Sequence, residues 1–490
     1  MAIAGTSAHR RLPGPEPPLM THERRRIALI LTAVLAVGLF GHCRGSGYRN
    51  FFNHDPRESH DYALDRRDGA SWEVRLGRDG FDWPDEAPRR NVTAVLEFRA
   101  RTRPLLPSLS PSIEFRADGR SFTQSFAPRS TGRRYLNVSP AAGADRIEMV
   151  GRQIGWQLGP ARLVVFENPP IDESTRVLVV APHPDDAEIA AFGLYATTRS
   201  DVVTVTAGDY GGMNYGGLFP DIGEHYRIKG WMRTWDSLTV PFLGDVPFNR
   251  ARNLGYFDGT LRRLYERRPE VVGSILADLA EPALFRRLNT EPQLATRPFT
   301  SSWPELVADL RREVDWTGAD LIAAPNPLLD SHPDHQYTTV ALIEALEGNG
   351  WDGRLLLYTN HATRAEPYPL GPNTALESLP PWFGDPMPFG SVLSYPVDET
   401  IRRLNYLALE AMHDLRPFEH RVVTPFSKRA RDLATEAFWR ILGRHDKLPG
   451  YLYDYLRRGP RPNEIYLVLD RDQAVRLKER FLEVEAARQR

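Results

Sequence analysis

The spacing of apolar and polar residues changes character several times along the chain. Residues 1–23 contain LPGPEPP and show no periodicity, which predicts a disordered tail. Arg24, Arg25 and Arg26 then lead into a run from Ile27 to Phe40 that is apolar apart from Thr32. From Tyr48 to Pro170 short segments are separated by turn-formers: VTAVLEFRAR from Val92, SIEFRADGRSFTQSF from Ser112, RRYLNVS from Arg133, RIEMVGRQI from Arg146 and ARLVVFEN from Ala161. Several alternate apolar with polar, the period of half-buried strands, and predict an all-β, sandwich-like domain. After Pro169-Pro170 the apolar runs become continuous: VLVVAP from Val177, VVTVTA from Val202, LIAAP from Leu321 and LLLYTN from Leu355. Helical periodicity lies between them at Ala187–Arg199, Trp303–Val314 and Gln336–Leu346, which predicts an α/β fold with a doubly wound, mostly parallel sheet. Beyond Asp398 the pattern is helical, in IRRLNYLALEAMHDLR from Ile401 and near Arg429–Leu442, with a late strand at EIYLVLD from Glu464.

These changes divide the chain into a cytoplasmic tail at 1–26, a transmembrane signal anchor at 27–43, the sandwich-like domain at 48–170, the α/β domain at 171–425 and a helical extension at 426–490. At about 1.5 Å per residue the apolar run spans roughly 22 Å against ~30 Å of hydrocarbon, which suits a short anchor or a signal-peptide core. The arginines before it favour an N-in orientation, so the folded part is expected outside the cytoplasm, membrane-anchored, or secreted if Ala36-Val37-Gly38 is a cleavage site. The sequons Asn91-Val-Thr and Asn137-Val-Ser lie in strand-like context and decide nothing. The 490 residues carry 62 Lys+Arg against 63 Asp+Glu, a formal charge of −1 that disfavours nucleic acid as a partner. A single cysteine, Cys43, excludes intramolecular disulfides and cysteine-held zinc, so any metal must use His, Asp or Glu. Nothing in the sequence sets an oligomeric state.

Two segments carry candidate chemistry because each follows a predicted strand directly. APHPDDAEIAAFG begins at Ala181 and PNPLLDSHPDHQYTT at Pro325. Loops beyond the carboxyl ends of strands in an open α/β sheet converge on one crevice, so segments far apart in sequence can meet. Together they offer His183, Asp185, Asp186, Asp330, His332, Asp334 and His335, enough for a His/His/Asp metal site with an open position. Asp185, Asp186 or Asp334 could instead cap the helices that follow.

HPDD, TAGDYG at Thr206–Gly211, LGYFDGTL at Leu254–Leu261 and the downstream HPDH, in that order over Arg176 to Arg416, resemble the PIG-L/LmbE-like zinc N-deacetylase family. The resemblance implies that His183, Asp186 and His335 ligate zinc, with iron or cobalt as other divalent ions the set would accept. It implies that Asp185 is the general base, that His332 as an imidazolium stabilises the oxyanion and protonates the amine, and that Asp334 orients His332 and raises its pKa. Arg233 and Asp258 would contact substrate, and the reaction would remove an acetyl group from an N-acetylated sugar, in a polysaccharide or a lipid-linked glycan. A glycan-binding scaffold that keeps the fold without turnover and a metal phosphoesterase are the alternatives. The chain departs from the family at Ala187-Glu188, Ala190 and Phe192. It also reduces the family's Arg-x-x-Glu to Arg233-Thr-Trp-Asp236, and His413 resembles a late family histidine.

Overall fold

The computed structural model describes residues 57–488, apart from 104–110, 212–217, 280–282, 366, 385 and most of 416–454. Phe51–Arg490 form one compact unit. Strand β1 (Ala70–Leu76) opens two antiparallel sheets. The first runs in the order β1, β9 (Gly159–Glu167), β3 (Val92–Thr102), β6 (Thr131–Asn137), with β8 (Ile154–Trp156) paired to β3. The second is β2 (Gly80–Asp82), β7 (Arg146–Arg152), β4 (Ser112–Ala117), β5 (Arg120–Ser125). Alternation explains the packing: Ile113, Phe115 and Ala117 of β4 are buried while Arg116 between them is exposed, and they meet Leu96, Phe98, Ile147, Met149 and Leu163 in one cluster. The other face of the first sheet is not left to solvent. Val95, Tyr135, Val164 and Phe166 join the core of the α/β part beside Phe389 and Val392, and Thr93 Oγ1 accepts the Ser394 N–H at 2.7 Å. Both faces of β3 are therefore buried over its first half, which weakens its alternation in the sequence. Asn137, a sequon residue, is fully buried and donates to Ser394 and to the Glu377 carbonyl, so it is no glycan acceptor in this fold.

The seven-stranded sheet has the order β12 (Ala251–Tyr256), β11 (Arg199–Thr206), β10 (Arg176–Ala181), β13 (Leu321–Pro325), β14 (Arg354–Tyr358), β16 (Asn463–Leu469), β15 (Ser391–Pro396). Pairing is parallel from β12 to β14 and antiparallel at β16 and β15. The chain winds outward from β10 through β11 to β12 and then restarts on the other side of β10 with β13. The switch point, where a doubly wound sheet opens its crevice, thus lies between the carboxyl ends of β10 and β13.

The helical run expected over Ala187–Arg199 is two short helices, α1 (Asp186–Ala190) and α2 (Phe192–Ala196), followed at once by β11. The break has a cause: the Glu464 carboxylate, from β16, accepts the N–H groups of Gly193 and Leu194 and so caps α2 from outside. A side chain at Gly193 would collide with Val397 and Glu464. Further helices used below are α3 (Ile222–Thr239), α4 (Leu261–Glu266), α5 (Trp303–Thr317), α6 (Pro333–Leu346), α7 (Glu399–Ala411) and α8 (Arg471–Arg488). In α5, Trp303, Leu306, Leu310 and Val314 make the buried stripe, a proline opens the first turn and Gly318 closes the helix at φ 52°. The segment between Arg262 and Thr300 buries Val272, Phe285, Arg286 and Leu294.

The transmembrane segment expected at 27–43 is corrected. No helix among the described residues is long and apolar enough to cross a membrane. Residues 1–56 lie outside the described residues, as does the helix expected near Arg429–Leu442. The described residues give no support to membrane attachment or to the extracytoplasmic location that rested on it.

Burial pushes the Glu464 carboxyl up to about 8 from 4.5. Between those values the folded protein holds a proton that the unfolded chain releases, so this group makes stability fall as pH rises through that window. Denaturant titrations across pH 5 to 8 should show a shallower decline in Glu464→Gln than in the parent; an unchanged slope would show that Glu464 is ionised in the fold.

Candidate metal centre

The residues after β10 and β13 meet at the switch point. His183 Nδ1 is 3.2 Å from His335 Nε2 and 3.2 Å from Asp186 Oδ2, and His335 Nε2 is 3.1 Å from the same Asp186 oxygen. These three atoms form a near-equilateral triangle. A tetrahedral zinc set with metal–nitrogen distances of about 2.0–2.1 Å has edges of roughly 3.3 Å, so the spacing suits one shared ion. The fit rests on this donor set and on what lies behind it. Asp330 Oδ2 stands 3.0 Å from His335 Nδ1, Asp258 Oδ1 and Asp334 Oδ2 stand 3.2 and 3.3 Å from His183 Nε2, and Asn360 Nδ2 donates to Asp186 Oδ1 at 2.7 Å. A carboxylate behind each imidazole fixes its tautomer and ring orientation, as ligating histidines require.

The electrostatics follow from this crowding. Burial works against charge on His183, yet Asp258, Asp186 and Asp334 hold its proton well above the ordinary imidazole range. Burial likewise opposes charge on His335, but Asp186 and Asp330 carry it up to about 10. Asp186 is driven well below the usual carboxylate range: burial would raise it, but His335 and His183 prevail. Burial would also raise Asp330, but His335 and His361 bring it down to about 2.

Asp185 precedes α1 with φ 155°, a conformation L residues rarely adopt, and its carboxylate meets Arg233 of α3. Arg233 Nη2 donates to Asp185 Oδ2 at 2.9 Å. Burial pushes the Asp185 carboxyl up to about 6 in spite of that guanidinium. Two glycines make room for the arrangement. At Gly208, φ 65°, a Cβ would strike the Arg233 guanidinium, and Gly259, φ 74°, donates its N–H to Asp334. TAGDYG and FDG thus act as backbone clearances, and Asp209 joins them by accepting the Asp258 N–H.

Several residues sit differently from expectation. Asp334 does not face the His332 ring. Its carboxylate accepts the N–H groups of Gly259 and Leu261 and lies against His183, and only its backbone N–H meets His332 Nδ1. His332 is not poised as an imidazolium: burial, with His183, His335 and His361 nearby, brings it down to about 3. With Nδ1 accepting, Nε2 is the protonated nitrogen of the neutral ring. Arg233 is buried among Asp185, the Pro184 carbonyl and Asp414, and Asp258 is buried against His183, so neither is an open substrate contact. His413 lies in a 3-10 turn with Nδ1 2.6 Å from Asp236. His361 and Asn360 follow β14 and were not singled out from the sequence, although LLLYTN marked the strand they end; the His361 ring is 5.1 Å from that of His335, centroid to centroid.

Residues 178–346 match the family model described as PIG-L: GlcNAc-PI de-N-acetylase, so the chain carries a PIG-L domain. No curated protein matches. Among solved structures, the zinc-inhibited form of teicoplanin deacetylase Orf2 is 17% identical with a TM-score of 0.33, over 60% of this chain and 98% of that one. The A40926 pseudoaglycone deacetylase Dbv21 is 17% identical with a TM-score of 0.31, over 60% of this chain and 97% of that one. GalB, the 4-carboxy-2-hydroxymuconate hydratase from Pseudomonas putida, is 12% identical with a TM-score of 0.30, over 60% of this chain and 95% of that one.

For an ion to be held by the triangle, His183 and His335 must each give up a proton that their carboxylates retain near neutrality. Calorimetry of zinc into metal-free protein, in buffers of differing ionisation enthalpy at neutral pH, should therefore report release approaching two protons per ion. Affinity should weaken as pH falls. A heat independent of buffer would contradict this charge state.

Proposed function

We propose, on the premise that residues 178–346 form a PIG-L domain, that the chain is a metal-dependent deacetylase that removes an acetyl group from an N-acetylated sugar. The observation that supports it most is the triangle of His183 Nδ1, Asp186 Oδ2 and His335 Nε2, with the Asp185 carboxyl close enough to feel the charges of Asp186 and His183. Zinc is the ion this nitrogen and oxygen set suits, with iron(II) or cobalt(II) as chemical equivalents. Bound there, it would supply Lewis acidity toward water and the amide carbonyl.

The chain's own groups divide the remaining work. Asp185, raised to about 6, is basic enough to take the proton of the attacking water and acidic enough to return it. As the water oxygen bonds to the acetamide carbon, the neutral His332 offers its Nε2–H to the developing oxyanion. The carbon–nitrogen bond then breaks, the proton on Asp185 passes to the departing nitrogen, and acetate and a free amine result. In this reading the same Asp185 carboxyl serves first as base and then as acid, and His332 serves as the N–H donor to the oxyanion.

Acetate release from N-acetylglucosamine glycosides should require added zinc. It should fall by about 10²–10⁴-fold in Asp185→Asn with bound metal unchanged. His332→Ala should lose about 10²-fold or more, and His332→Gln, which keeps an N–H, less than His332→Ala. Hydrolysis of a phosphate ester in place of the acetamide, or full activity in Asp185→Asn, would overturn the reading.

A further inference from the structure

Asp185 sits on a strained turn, and its only side-chain hydrogen bond among the described residues is the one from Arg233. Arg233, on α3, also donates from Nη2 to the Pro184 carbonyl at 3.0 Å. The other edge of the guanidinium is held as well, since Nε is 3.3 Å from Asp414 Oδ2. Lys229, one turn earlier on α3, brings Nζ to 3.2 Å from the same oxygen. Asp414 belongs to the turn His413–Leu415, which is pinned to α3 a second time where the His413 N–H and Nδ1 meet the Asp236 carboxylate. Lys229 and Arg233 are both buried, so two like charges one helical turn apart share Asp414 as a counter-charge.

A guanidinium is planar and rigid, so fixing its Nε edge fixes the direction of Nη2. We propose that Asp414 is a positioning residue for the reaction: it aims Arg233, and through Arg233 it sets where the Asp185 carboxylate stands. The inference rests on the deacetylase reading above. It draws into the site a residue that lies well beyond the matched span 178–346, on the turn that follows α7. Asp414 pairs with Lys229 and Arg233 of α3 and reaches Asp185 through the Arg233 guanidinium. Its loss should therefore spare metal binding and substrate binding and slow the chemical step.

The test is a double-mutant cycle on acetate release by full-length, zinc-loaded protein, with metal content and thermal melting measured on each variant. Asp414→Asn should lower kcat about tenfold and move KM by less than about twofold, with one ion still bound. Arg233→Lys, which cannot bridge both carboxylates, should cost at least as much. Adding Asp414→Asn to it should cost less than about twofold more, because the contact it breaks is already gone. Asp414→Glu keeps the charge with a longer reach and should recover part of the loss. If Asp414→Asn fails to fold, the Glu variant carries the test: a kcat loss at unchanged KM supports the role, and a wild-type kcat overturns it. Unimpaired kcat in Asp414→Asn, or losses that multiply in the double variant, would also overturn it while leaving the deacetylase reading intact. A wild-type protein that releases no acetate with zinc bound would sink the reading and the positioning role together.

Discussion

One carboxylate oxygen, Asp186 Oδ2, is the point on which the site depends. It lies within 3.2 Å of both imidazoles, and the His183 backbone N–H also donates to it, at 2.9 Å. Two histidines and an aspartate brought this close and buried are costly unless their charges are balanced and their hydrogen bonds complete. The balance comes from a second layer of carboxylates, Asp330 behind His335 and Asp258 with Asp334 behind His183. That layer is held by backbone N–H groups: His332, Asn360 and His361 donate to Asp330, and Gly259 and Leu261 to Asp334. The strand-end loops thus hold the layer behind the imidazoles, and the fold carries the site's electrostatic cost.

Topology supplies the convergence. Because β10 and β13 are neighbours at the point where the winding reverses, the loops after them face one another across an opening rather than being covered by a crossover. The loops after β11, β12 and β14 close around the same opening with Asp209, Asp258 and His361 respectively. Among the described residues the β-rich part contributes none to this cluster, and its first sheet packs as a layer against the α/β core.

HPDD and HPDH were legible because each stands directly after an unambiguous apolar strand, and the chemistry of the side chains then limits what they can do together. The roles of the outer groups were not legible, because they depend on direction rather than on residue type. Asp334 turns to Gly259 and His183 instead of His332 because its carboxylate satisfies two N–H groups at the start of α4. Arg233 turns inward to Asp185 because Gly208 leaves it space. The break between α1 and α2 depends on Glu464, from a strand hundreds of residues later, which no local periodicity reveals. The apolar run at 27–40, whose hydropathy and flanking arginines suggested a membrane span, lies outside the described residues, and no described helix provides such a span.

The central claim, that His183, Asp186 and His335 grip a single ion, is tested most directly by diffraction at the zinc absorption edge from zinc-loaded crystals. The account predicts one anomalous peak within bonding distance, about 2.0–2.2 Å, of His183 Nδ1, Asp186 Oδ2 and His335 Nε2. A peak held instead by His332 and His361, or no peak between those three atoms in protein that releases acetate, would contradict it.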